Sequence, residues 1–240
     1  MTWTKQLWDA IELDDAELVR QAIANGADVH AIAPSDFYAL RIVVSLDTLN
    51  EICEILHQAG ANPNHRDEAG QTALYWATYG GDDDLVRRMI KHGASVDEEQ
   101  PEDGSFSLHC AAEGGYLSIA QQLLEAGGRN VLDKFDYNNR TPLMCAVVNN
   151  EFEVAQLLIK AGSNVNAFDE PNIGNTALRA IGDSGSYEMI KLLLEAGADP
   201  NIPGWMQITA LDLARERVEK SKRPSAEALA NLKLMEEKAR

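Results

Sequence analysis

The sequence predicts an all-α solenoid, a fold in which short helix-turn-helix units stack side by side. Three features of the 240-residue chain predict it. A glycine that opens a turn-forming stretch recurs every 33 to 35 residues, at Gly26, Gly60, Gly93, Gly127, Gly162 and Gly197. A leucine lies 19 residues before four of these glycines. Between the glycines, apolar residues follow helical spacing, so each unit can bury its apolar face only against its neighbours.

Each unit carries the pattern of two amphipathic helices, as the fifth unit illustrates. Leu143, Ala146 and Val147 share one face of its first helix, and Ala155 and Leu158 share one face of its second. The recurrent glycine follows the second helix, where a residue in the left-handed conformation commonly ends a helix. We therefore expect two short helices and a glycine cap in every unit.

Polar residues mark the helix ends. Thr72, Thr141 and Thr176 precede first helices and can cap them with a hydroxyl group, and Pro142 suits a first turn. We expect left-handed residues in the turns between paired helices, at Asp14, Gly81, Gly115, Asn150 and Gly185. In the last unit, Ser225 is expected to cap a final helix.

The stretches Thr72-Ala-Leu-Tyr-Trp-Ala and Thr141-Pro-Leu-Met-Cys-Ala resemble the Thr-Pro-Leu-His-x-Ala motif of ankyrin repeats. Gly197-Ala-Asp-Pro-Asn resembles the ankyrin hairpin. The resemblance implies a single domain, residues 1–240, of six to seven helix-turn-helix units joined by β-hairpin-like fingers, with capping units at both ends. The approximate units are 1–34, 35–66, 67–100, 101–135, 136–170, 171–204 and 205–240. The second unit lacks the threonine motif, so we expect a distorted hairpin around residues 33–36.

The C-terminal cap is expected to turn Leu229, Leu232 and Met235 inward, with its charged residues facing water.

Charge narrows the class of partner. The formal net charge is −17, yet residues 205–240 carry eight Lys or Arg against six Asp or Glu. Nucleic acid is a poor partner for so acidic a surface, and a basic protein is favoured, although acidity also serves solubility alone.

No apolar run could span a bilayer. Three scattered cysteines fit a reducing compartment, so we expect a cytoplasmic protein. We also expect the protein to be monomeric when free.

Catalytic and cofactor chemistry is not expected. Gly182-Asp183-Ser184-Gly185 matches the string around the nucleophile of chymotrypsin-like proteases, but it falls in a predicted turn without an aligned histidine or aspartate. The five histidines show no metal-ligand spacing, and His109 occupies the motif position at which family members bond the backbone. We predict no enzyme activity, no metal site and no cofactor.

In ankyrin proteins, partners bind the concave side, which the hairpin tips and the first helices form. Carried over by position, the resemblance implies contacts in an acidic finger, in three aromatic fingers and at the ends of first helices. The acidic finger supplies Glu98, Glu99, Glu102 and Asp103, and the helix ends supply Tyr79, Glu113 and Asp183. The aromatic fingers supply Phe135, Tyr137, Arg140, Phe168, Asp169, Ile173, Trp205 and Met206. The alternative is that these are ordinary surface loops.

The function hypothesis is therefore a protein-binding module for a basic partner. One specific form is an immunity or inhibitor protein that occludes a secreted toxin. Other readings remain open: a scaffold, an injected effector of host processes, or a ligand- or metal-responsive regulatory adaptor that uses the acidic finger at residues 97–103. A hydrolase at Ser184 is the least favoured.

Overall fold

The computed structural model describes residues 2–30, 49–67, 69–168 and 174–239, and these form two compact parts, Met1–Glu102 and Asp103–Arg240. The N-terminal part contains α1 (Trp3–Glu12), α2 (Ala16–Ala24), α3 (Leu49–Gln58), α4 (Ala73–Tyr79) and α5 (Asp83–Lys91). The C-terminal part contains α6 (Ser107–Glu113), α7 (Leu117–Glu125), α8 (Pro142–Val148), α9 (Phe152–Ala161), α10 (Ala177–Ala180), α11 (Tyr187–Glu195), α12 (Ala210–Lys220) and α13 (Ala226–Lys238). Short 3₁₀ helices span Gly128–Val131 and Trp205–Gln207.

Within each part, the helices pair and the pairs pack side by side. In the C-terminal part, the first helices α6, α8, α10 and α12 contact one another in sequence order, and α7 packs against α9. The leucines of the repeated motif form the centre of this packing: Leu108, Leu143 and Leu178 are at most 1% exposed. The predicted helical repeat is confirmed, and the distorted hairpin expected around residues 33–36 lies outside the described residues.

The helix caps follow the sequence prediction. The hydroxyl oxygens of Thr72, Thr141 and Thr176 accept hydrogen bonds from amides three residues later, over 3.3, 3.3 and 3.1 Å. Ser225 caps α13 in the same way, over 3.1 Å. The six recurrent glycines all have φ between +87° and +112°. The repeats that carry the threonine therefore start at a side-chain cap and end at a left-handed glycine.

Four of the five predicted left-handed turn residues have positive φ: Asp14, Gly81, Gly115 and Asn150. The prediction was wrong for Gly185, whose φ is not left-handed. A Cβ atom there would lie 2.8 Å from the carbonyl oxygen of Ile181, so the glycine is required by a close backbone approach.

The predicted inward face of the last helix was also wrong in part. Met235 is fully buried, but Leu229 is 47% exposed and Leu232 only half-buried. Asn231 takes an inward position instead, and its side-chain amide donates to the carbonyl of Gly185 over 3.0 Å. Hydrophobic periodicity cannot reveal this polar contact, which satisfies a buried side-chain amide.

Replacing Gly162 with alanine is expected to lower the free energy of unfolding by about 1 kcal/mol, because a Cβ atom disfavours left-handed backbone. Gly162 has φ +105°, and no atom lies within 4 Å of the added Cβ, so the loss is conformational rather than steric. Gly162→Asn should lose less, since asparagine tolerates this conformation. Urea denaturation measures both variants, and equal losses would contradict this account.

Candidate functional site

The finger at residues 136–140 is organised by one buried carboxylate. The side chain of Asp136 is 2% exposed. It accepts hydrogen bonds from the amides of Asn138 and Arg140, over 2.9 and 2.8 Å, and from the Arg140 guanidinium, over 3.0 and 2.9 Å. The Asp136 amide donates to the carbonyl of Arg140 over 2.9 Å, which closes the loop. The tip is therefore held in one shape by bonds to its own backbone.

Tyr137 stands at the tip of this finger. Its amide donates to the carbonyl of Asp103 over 2.7 Å. Its ring packs against Gly104, where any added Cβ atom would collide with the ring. The side chain nevertheless remains 61% exposed. An aromatic ring that is held on one side and open to solvent elsewhere loses little conformational entropy when a partner covers it.

The side chain of His109, on α6, is hydrogen-bonded to the backbone of the same finger. Its Nδ1 accepts the amide of Phe106 over 3.2 Å, so Nε2 carries the proton and donates to the carbonyls of Lys134 and Arg140, over 3.2 and 3.0 Å. Burial lowers the pKa of His109 below its ordinary value of 6.5, although the carbonyl contacts oppose the shift. The histidine is thus a neutral structural bridge, the role that the resemblance implied.

Charged and aromatic neighbours of this finger differ in exposure. The guanidinium of Arg140 lies 3.8 Å from the carboxylate of Glu113, which is exposed at the end of α6. Phe135 is only half-buried, so part of its ring is committed to the fold. The structure therefore brings Glu113 and Arg140 together.

A second exposed tip lies at residues 204–208. Trp205 and Met206 are 63% and 68% exposed. Met206 and Gln207 have φ of +59° and +61°, which is unfavourable for residues with a side chain. The carbonyl of Ile208 accepts bonds from the Gly204 amide, over 3.0 Å, and from Nε of Arg179, over 2.9 Å. These bonds hold the strained backbone, and strain of this kind clusters at functional positions.

The remaining predicted residues are more scattered. Phe168 is 36% exposed, and Asp183 is exposed in the turn after α10. Asp169 and Ile173 lie outside the described residues. In the N-terminal part, Tyr79 is 64% exposed at the end of α4, with its ring 5.9 Å from that of Trp76.

The acidic finger of the N-terminal part is partly neutralised by its own chain. The guanidinium of Arg66 forms an ion pair with Glu98 and also donates to the carbonyl of Glu99 over 3.2 Å. The Glu102 carboxylate accepts from the Gln71 side chain over 3.2 Å. Glu99 and Glu102 are exposed, whereas Glu98 is half-buried. Asp97, Glu99 and Glu102 are thus the exposed acidic residues of this finger within the N-terminal part.

Comparison with known proteins decides the family. A family model for ankyrin repeats, built as three copies, matches residues 7–100, 38–134, 80–169 and 108–204. The chain belongs to the ankyrin-repeat family. Ankyrin repeats are protein–protein interaction modules.

Two known proteins resemble this chain over part of their length. Diacylglycerol kinase zeta of Rattus norvegicus is 33% identical over 96 residues, 39% of this chain and 10% of that protein. Palmitoyltransferase ZDHHC17 of Homo sapiens is 36% identical over 77 residues, 32% of this chain and 12% of that protein. The chain therefore spans about a tenth of the length of these relatives.

Solved structures share the fold. The crystal structure of the ankyrin repeat domain of Bcl-3, a member of the IkappaB protein family, has a TM-score of 0.76 at 23% identity, covering 95% of this chain and 97% of that one. The ankyrin repeat domain of human ASB11 has a TM-score of 0.69 at 22% identity, with 95% and 96% covered.

Other features of this ankyrin protein bear on chemistry. Burial raises the pKa of Cys145 to about 12 and that of Cys53 to about 11, so both remain neutral thiols at physiological pH. Within the described ranges, no three His, Cys, Asp or Glu side chains are grouped to hold a metal ion. Over the same residues, no helix has the length and apolar character that crossing a bilayer requires.

Sequence reasoning missed Asp136, the residue that shapes the best-defined finger. A signal existed: Asp67 and Asp136 both lie five residues before a capping threonine, and each carboxylate accepts the amide four residues later, from Gln71 and Arg140. The Arg179 contact to the 204–208 tip was also missed, because its bond goes to a backbone carbonyl in the next repeat.

Asp136→Ala is expected to lower the free energy of unfolding by about 2 kcal/mol, because it removes a buried acceptor of several hydrogen bonds. Asp183→Ala, at an exposed turn, should change it by less than about 0.5 kcal/mol and serves as the matched control. Urea denaturation followed by circular dichroism gives both values. Equal effects of the two substitutions would show that Asp136 does not organise the finger.

Acidification should destabilise the protein through His109. The folded pKa lies below the unfolded value of 6.5, so the unfolded chain gains a proton first as the pH falls. The stability that neutral His109 provides is therefore complete above 6.5 and is lost progressively below it.

Thermal unfolding at pH 7.5 and 5.5 measures this loss. His109→Gln should reduce the pH-dependent part of the change, whereas His30→Gln, at an exposed residue, should leave it intact. The prediction fails when His109→Gln retains the full pH dependence.

Proposed function

We propose that this ankyrin protein is a non-catalytic module that binds a basic protein through the finger tips of residues 103–240. One observation carries the proposal: Tyr137, Trp205 and Met206 are each more than 60% exposed, while backbone hydrogen bonds fix the loops that carry them. Trp and Tyr dominate the energetics of protein interfaces, and pre-organised anchors bind at lower entropic cost.

The charge of the chain supports a basic partner. The net charge is −17, and the predicted contact residues Glu113 and Asp183 are exposed on the C-terminal part, as Glu99 and Glu102 are on the N-terminal part. A field of one sign accelerates the encounter with a partner of opposite charge, and the gain shrinks as salt is added. Arg140 offsets part of the charge of Glu113, so the aromatic tips rather than the acids should supply the affinity.

The narrower proposal is that the partner is a secreted toxin, whose active site this protein covers in the cytoplasm of the cell that makes it. The acidic surface supports rapid capture of such a protein. A scaffold or an effector injected into a host would use the same finger tips, so the identity of the partner distinguishes these roles. The carboxylates of Glu98 and Glu102 are bonded to Arg66 and Gln71, and this favours protein contact over a metal-responsive regulator.

Capture from lysate of the source organism, followed by mass spectrometry at low and moderate salt, should recover a basic protein. With that partner purified, Tyr137→Ala and Trp205→Ala should each weaken binding by about 10-fold or more in calorimetry. Leu229→Ala, which removes an exposed apolar side chain outside the fingers, should leave affinity unchanged.

The charge contribution has its own control. The double variant Glu113→Lys/Asp183→Lys should slow association, whereas Glu188→Lys/Glu195→Lys, exposed on α11, should slow it less. The proposal is wrong when no protein is retained at either salt concentration, or when the control substitutions weaken binding as much as the finger substitutions.

A further inference from the structure

The outer face of the first helix pair is apolar and uncovered. Trp3, Leu13 and Leu18 line a groove of about 190 Å³ between α1 and α2. Their side chains are 44%, 71% and 41% exposed. This face belongs to the N-terminal part and contains none of the residues that carry the proposed function.

The equivalent positions in the other repeats indicate what kind of surface would cover this face. Leu18 lies eight residues before its capping glycine, Gly26. The residues at the same position in the other repeats are at most 2% exposed: Ile52, Leu85, Ile119, Val154 and Met189. Leu18 is therefore an apolar residue at a position that is buried in the other repeats, yet its own side chain is exposed. In a repeat stack, the surface that covers such a position is the trailing face of a preceding helix pair.

The last helix pair of a second copy offers a trailing face of this kind. One side of α12 and α13 is occupied, because α10 contacts α12 and α11 contacts α13. Leu229 on α13, which the sequence predicts to pack inward, is 47% exposed.

Charge also favours this pairing. Residues 1–30 carry six Asp or Glu against two Lys or Arg, whereas residues 205–240 carry eight Lys or Arg against six Asp or Glu. Two copies of the N-terminal face would repel one another, while an N-terminal face and a C-terminal face attract.

We propose that this protein self-associates head to tail, with the α12–α13 end of one copy covering the α1–α2 groove of the next. The contact repeats between chains the stacking that joins helix pairs within a chain. It is small and therefore reversible, and it departs from the monomer that the sequence predicts. Because the two joined faces differ, each added copy leaves one face of each type open.

Sedimentation velocity of the full chain, from about 10 µM to about 1 mM in low salt, tests the proposal. The weight-average sedimentation coefficient of the wild type should rise with concentration. Leu18→Glu and Leu229→Glu should each remain monomeric alone, since each blocks one face. An equimolar mixture of the two should form a species of two chains and nothing larger, because only one compatible pair of faces remains.

Two further variants test whether the effect is specific to the two end faces. Leu13→Glu, at a more exposed residue of the same groove, should also be monomeric, and circular dichroism checks that each variant is folded. Val148→Glu, at a residue that is 50% exposed on neither end face, should associate as the wild type does. A wild type that sediments as a monomer throughout, a mixture that stays monomeric, or a Leu13→Glu variant that still associates would each overturn the proposal.

Discussion

Packing of each helix pair against its neighbour is the interaction on which the rest of this structure depends. A seven-residue helix such as α6 or α8 is too short to be stable alone in water. Its stability comes from burial, and the motif leucines Leu108 and Leu143 at the centre of the stack are at most 1% exposed. Because the helices supply most of the core, the exposed positions of the connecting fingers can carry side chains that the fold does not need.

The fingers nevertheless keep defined shapes, through polar rather than apolar contacts. Asp136 gathers the 136–140 loop, and Arg179 holds the 204–208 tip by its carbonyl at Ile208. His109 ties the first of these loops to α6 through two carbonyl groups. The bonds of Arg179 and His109 join a side chain of one repeat to the backbone of the next finger, so the order of the tips depends in part on the stacking of the helices. As a result, the exposed aromatic side chains of the tips are carried by loops of fixed shape.

The sequence predicted the parts of this arrangement that depend on local chemistry. Threonine caps, left-handed glycines and buried leucines each depend on a particular residue at a particular repeat position. The period of 33 to 35 residues allows those positions to be identified in the sequence. It did not predict contacts that join residues distant in sequence. Arg66 pairs with Glu98 from 32 residues away, and Asn231 donates a hydrogen bond to Gly185 from 46 residues away. Gly185 was misjudged for a related reason, since its close approach to Ile181 is a property of the folded turn.

The central claim is that a protein partner is gripped by the ordered finger tips of residues 103–240. Hydrogen–deuterium exchange of the protein, alone and with its captured partner, tests this claim most directly. Protection on binding should be concentrated in residues 136–140 and 204–208, with little change in α9 and α11. Protection confined to α9 and α11, with both tips exchanging as in the free protein, would contradict it.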